Sequence, residues 1–140
     1  MNIKISDLSI GDYISYCDRV YKVHSIEGQG LVGASNDSYS SPHILKHVDY
    51  LEPIPITVDI LEKNGWEFFK DSRWWILETD MDVRCNVWLG RNNECRVEVS
   101  CKNEELDYYS LYADIQLRKA HIHQLQHALR LAGVNKEIKL

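Results

Sequence analysis

From Trp66 onward, apolar and polar residues alternate. Val83, Cys85, Val87 and Leu89 are separated by Arg84, Asn86 and Trp88, and Cys95, Val97, Val99 and Cys101 by Arg96, Glu98 and Ser100. A period of two is the signature of a strand with one buried face. The pattern predicts strands over 66–69, 74–79, 83–89, 95–101 and 108–117. The turns between them fall at 80–82, 90–93 and 102–105. Consecutive strands joined by short turns make an antiparallel meander. At 121–136 the period lengthens: Ile122, Leu125, Leu129 and Ala132 fall on one helical face, and Gly133 follows as a stop. This helix is the expected cover for the apolar face of the sheet.

The first 52 residues read differently. Strand candidates at 13–16 and 19–26 and a third starting at 31 are separated by glycine-containing turns at Gly11-Asp12 and at 27–30. The small polar run 34–41 reads as a loop. Ser41 and Pro42 look like the N-cap and first residue of a short helix ending before Asp49. Short strands and tight turns in this length suggest a small SH3-like β-barrel unit. Glu52-Pro53-Ile54-Pro55 is an extended linker, because proline biases its predecessor away from helix. Thr57 then caps a short helix over 58–64, anchored by Ile60 and Leu61 and stopped by Gly65. The expected fold class is α+β, with a barrel-like unit at 1–52 and helix, meander and terminal helix at 53–140.

Two motifs carry a resemblance: P-I-P-I-T at 53–57 running into I-L-x-x-x-G-W at 60–66, and H-Q-L-Q-x-A-L-R-L-A-G at 123–133. They resemble a group of small proteins found in gut anaerobic bacteria and in their phages and mobile elements. The resemblance runs from about Gly11 onward, although only the two motifs are sharp. It implies a cytoplasmic protein of phage or mobile-element type. It brings no reaction, cofactor or catalytic residue.

Charge and cysteine content narrow the options. Net charge is −5 in 140 residues, so there is no general attraction to nucleic acid or an anionic membrane. In the barrel-like unit, Lys4, Arg19, Lys22 and Lys46 are the only candidates for a basic stripe. The N-terminal stretch reads as no signal peptide. No segment approaches the roughly 20 apolar residues of a membrane span. These features lead us to expect a soluble cytoplasmic protein. The four cysteines, Cys17, Cys85, Cys95 and Cys101, form no C-x-x-C pair. The three in the meander fit its buried face as small apolar residues.

Candidate chemistry is sparse. His123 and His127 are four apart on the terminal helix, and His43 and His47 share that spacing on the expected short helix. Four imidazoles brought together could bind a divalent metal. The residue after His123 is Gln124, which removes the general base of an H-E-x-x-H protease. The favoured reading gives these histidines no metal and the protein no cofactor. Cys17 beside Asp18 and near His24 has no spacing that makes it a nucleophile, and Glu104, Glu105 and Asp107 read as a solvated turn. No phosphate-loop or dinucleotide motif is present. The aromatics are more suggestive. Trp74 and Trp75 must face opposite ways in a strand. One of them, with Arg73, Arg84, Tyr109 and Tyr112, could form a stacking platform for a ligand or protein partner. Alternatively, the N-terminal unit covers that face.

These features point to a non-enzymatic binding protein whose partner is an unknown protein or small ligand. One rival is a binder that sequesters a signalling nucleotide in phage–host defence, which would need a pocket lined by aromatic rings and arginine. Others are a nucleic-acid-binding accessory protein and a histidine-based metal enzyme.

Overall fold

In a computed structural model the chain is mainly β, with two antiparallel sheets and few helices, an α+β fold. The structure describes residues 3–79, 83–91, 94–103 and 108–140, without the side chains of 101–103, 108–116 and 118. The expected turns at 80–82 and 102–105, the Asn92-Asn93 tip and the carboxylates Glu104, Glu105 and Asp107 fall wholly or partly outside these residues. The chain divides into two units, residues 1–54 and 55–140.

In the first unit, β1 (Tyr13–Tyr16), β2 (Arg19–Ile26), β3 (Leu31–Ser35) and β4 (His43–His47) form one sheet in chain order. Cys17 and Asp18 join β1 to β2, both with positive φ (49° and 59°). That is the backbone hand a two-residue hairpin needs to match strand twist. β2 buries Tyr21 and Val23. They pack with Ile14, Val32, Ala34 and Leu51. Asn36 ties the following loop back, donating from Nδ2 to the Val20 carbonyl at 3.0 Å, while the Tyr39 hydroxyl accepts from the Val20 N–H at 3.1 Å.

The short helix expected after Ser41 is instead strand β4, registered on β3 from Leu31↔His47 to Ser35↔His43. The Ser-Pro cap signal is local, whereas the ladder with β3 satisfies the same backbone groups at long range. The sheet is also not a closed barrel, since β1 and β4 are its outer strands. Beyond β4 the chain makes a single turn (Val48–Tyr50), and Glu52 then bridges to Ser15 of β1.

The second unit starts with α1 (Val58–Lys63), capped by Thr57, whose hydroxyl accepts from the Ile60 N–H at 3.4 Å. The meander follows in chain order: β5 (Glu67–Phe69), β6 (Trp74–Glu78), β7 (Val83–Leu89), β8 (Cys95–Asn103) and β9 (Tyr108–Arg118). Its inner face buries Trp75, Leu77, Val83, Cys85, Val87, Cys95, Val97 and Val99. The buried Trp66 donates its indole N–H to the Cys85 carbonyl at 3.2 Å.

Helix α2 (Ile122–Leu131) packs against β8, with Ile122, Leu125 and Leu129 fully buried. Its first turn is held by Gln124, whose Oε1 accepts from the His121 N–H at 2.9 Å, half of a capping-box arrangement. Gly133 ends it at φ 79°, where glycine alone is unstrained. Beyond it, Val134 and Ile138 are buried. The buried Asn64 clasps this tail: Nδ2 donates to the Ile60 and Lys139 carbonyls at 2.7 Å each, and Oδ1 accepts from the Lys139 N–H at 2.7 Å. This clasp has no periodic signal in the sequence.

Leu129→Ala should destabilise the protein by about 2–5 kcal/mol in chemical denaturation, the usual cost of a large core truncation. A loss of only a few tenths would mean that α2 is not a core element. Asn64→Ala should leave the Lys139 amide unsatisfied, at about 1–3 kcal/mol. It should also make residues beyond Gly133 the first proteolytic cut, read by mass spectrometry.

Candidate functional site

The turns β5–β6 and β7–β8 lie at the same end of the meander, and a cleft of about 590 Å³ opens between them. Phe68, Arg73, Trp75, Trp88, Leu89, Gly90, Arg91 and Glu94 line it. Register explains the convergence. Phe68 is paired with Trp75, and Trp75 with Val87, so β5, β6 and β7 end at one level. Arg73 occupies the left-handed region (φ 61°), and its N–H donates to the Phe69 carbonyl at 2.8 Å. The second turn is closed by the Gly90 N–H donating to the Glu94 carbonyl at 2.8 Å.

Three aromatic rings shape the cleft. Trp75 is buried and meets the half-exposed Phe68 at 5.2 Å between ring centroids. Trp88 is partly exposed, and the Arg96 guanidinium stands 5.3 Å from its ring centroid. The Trp88 ring also lies directly over Gly90: a β-carbon there would come within 2.5 Å of the ring. Gly90 is therefore a place where only a hydrogen side chain allows the indole its position. Two arginines, Arg73 and Arg91, and one acid, Glu94, complete the lining. Next to Glu94 a smaller recess of about 180 Å³ brings in Arg96 and Lys119.

The structure sorts the expected contact residues. Arg73 and Trp75 come together in the cleft. Trp74 lies half-buried on the opposite face of β6, as adjacent strand residues must. Arg84 is outside the cleft, paired through Nη2 with Glu78 Oε1 at 2.6 Å. Tyr109 sits opposite Lys102 in the β8–β9 ladder and Tyr112 lies further along β9. Both side chains fall outside the described residues. Phe68, Trp88, Arg91 and Glu94 carry no motif in the sequence. Their only signal is a tryptophan two residues ahead of a hairpin glycine.

In the first unit the expected helical spacing of the histidines is lost. His43 and His47 stand at opposite ends of a strand, roughly 13 Å apart by strand rise, rather than one helical turn apart. The His43 ring meets His24 at 6.1 Å, and His47 Nδ1 accepts from the Asp49 N–H at 3.2 Å. His123 is buried and His127 half-buried on α2. Burial lowers the pKa of His121. Among the described residues no three His, Cys, Asp or Glu side chains are grouped to hold a metal ion.

Cys85 and Cys95 are buried free thiols, and burial pushes both pKa values up to about 12. They are neutral and unreactive at physiological pH. Cys17 is exposed in the first unit, and the Cys101 side chain lies outside the described residues. Among the described residues no helix is long and apolar enough to cross a membrane.

Gly90→Ala should push the Trp88 ring away. Near-ultraviolet circular dichroism should change, with a loss of about 1–3 kcal/mol in stability, the range for overpacking. An unchanged spectrum and melting point would show that the indole has another resting place.

Comparison of the chain with protein families, with curated proteins and with solved structures returns no match.

Proposed function

We propose that this is a non-enzymatic cytoplasmic binding protein whose ligand seat is the cleft at the turn end of the meander. The ligand is a small planar molecule carrying an anionic group, and a nucleotide has that chemistry. The observation that carries this reading is the joint lining of one 590 Å³ cleft by Phe68, Trp75, Trp88, Arg73 and Arg91. A cleft of that volume is in the range of small-molecule sites. Aromatic faces stack on planar rings regardless of base identity. Guanidiniums bind phosphate or carboxylate through paired N–H donors. Glu94 is suited to accept from an exocyclic amine or ribose hydroxyl.

The phage and mobile-element setting implied by the linker and terminal-helix motifs fits a sequestering role. The barrel-like description of the first unit belongs to the same proposal, supported by the Ser15–Glu52 bridge that brings the chain back to β1. That unit would act as a separate module.

Intrinsic tryptophan fluorescence provides the test. Titration with AMP or GMP should give a saturable change, and adenosine, which lacks the phosphate, should bind more weakly. Arg73→Gln and Arg91→Gln should each weaken nucleotide binding about tenfold, the equivalent of roughly 1.4 kcal/mol. Trp88→Leu should remove most of the response. Absence of a saturable change with either nucleotide would overturn the nucleotide reading. Equal affinity for AMP and adenosine would overturn the role given to the arginines.

A further inference from the structure

We infer a second, independent binding site in the first unit: the groove on the open side of its sheet takes the phosphate group of a small phosphate ester. β1 and β4 are the outer strands and are not paired with one another. Yet the Lys46 ammonium of β4 stands 5.1 Å from the Tyr16 ring centroid of β1. The sheet therefore curls until its two edges face each other without closing. The gap is a groove of about 510 Å³, lined by Tyr16, Arg19, Tyr21, His43 and Lys46 among others.

The way the cations are held makes this groove a site for an anion. Arg19 stands over the Tyr39 ring at 5.3 Å, and Tyr39 in turn meets Tyr21 at 5.3 Å. A ring quadrupole positions a cation without neutralising it, unlike a carboxylate. Among the described residues neither Arg19 nor Lys46 is ion-paired, and no carboxylate lines the groove. The exposed Asp18, in the adjoining hairpin turn, is not part of the lining. Two permanent charges thus face one space, whose lining also includes Ser41 and His43. A tetrahedral oxyanion with several acceptor oxygens matches that donor set. The phenol ring of Tyr16 and the exposed Leu45 offer apolar surface to the ester's carbon skeleton.

The surrounding charge limits the ligand to a small one. Residues 1–54 carry seven carboxylates against four lysines and arginines. Lys4 and Lys22 are outside the groove, and Lys22 stands over Tyr13. Extended nucleic acid needs a track of cations along its backbone, whereas one phosphate needs only this cluster.

The experiment is a two-dimensional amide NMR titration of the full chain with inorganic phosphate and with phenyl phosphate. Saturable shifts are expected at residues 16–21, 41 and 43–46 with both probes, at lower concentration with phenyl phosphate. Lys46→Gln and Arg19→Gln should each weaken binding about tenfold, as expected for one lost charge-assisted contact, with an unchanged melting temperature. Arg73→Gln, in the other unit, should leave these shifts intact. The inference is overturned by an absence of saturable shifts, or by shifts that survive Lys46→Gln unchanged. Equal affinity for the two probes would overturn the ester, and tighter binding of a single-stranded oligonucleotide would overturn the small ligand.

Discussion

The register of β7 governs the second unit. All seven of its residues are paired with β8, from Val83↔Cys101 to Leu89↔Cys95, and four of them also with β6, from Trp75↔Val87 to Glu78↔Arg84. Side chains alternate along a strand, so a slip of one residue would exchange Val83, Cys85 and Val87 with Arg84, Asn86 and Trp88. A guanidinium and an amide would enter the core, and three apolar groups would meet water. The same register sets the level at which the two turns converge, so core and cleft have one origin. Trp66 reinforces it from outside the ladder, because its indole hydrogen bond is made to the backbone of Cys85.

Much of this was legible in the sequence. The alternation at 83–89 marks β7 to the residue, and Gly133 marks the end of α2, because both signals arise within the segment concerned. The segment 43–47 was not legible in the same way. Ser41 and Pro42 are a real local preference for a helix start, but the partner that decides the outcome, β3, lies across a loop. The candidate site divides along the same line. Arg73 and Trp75 stood out by composition, whereas Phe68, Trp88, Arg91 and Glu94 join them only once four strand ends share a level. Arg84 drew notice for its charge, which is already engaged by Glu78.

The two units use the same chemical pairing in different ways. In the second, aromatic rings and guanidiniums line a cleft between turns, with Arg96 standing over Trp88. In the first, tyrosines carry cations along the margins of an unclosed sheet. An acidic protein gains local positive potential this way. Its many carboxylates would otherwise draw lysine and arginine into ion pairs, and the rings keep some of them available.

The Asn64 clasp has a kinetic consequence. Every strand of the meander pairs with its neighbour in the chain, so the sheet can grow one hairpin at a time with small loops to close. Asn64 and Lys139 are separated by 75 residues, and their contact has no place until the strands and α2 between them are set. An interaction formed after the folding barrier slows unfolding rather than speeding folding. The clasp would then act as a latch on the lifetime of the folded unit, with little influence on how quickly that unit is reached.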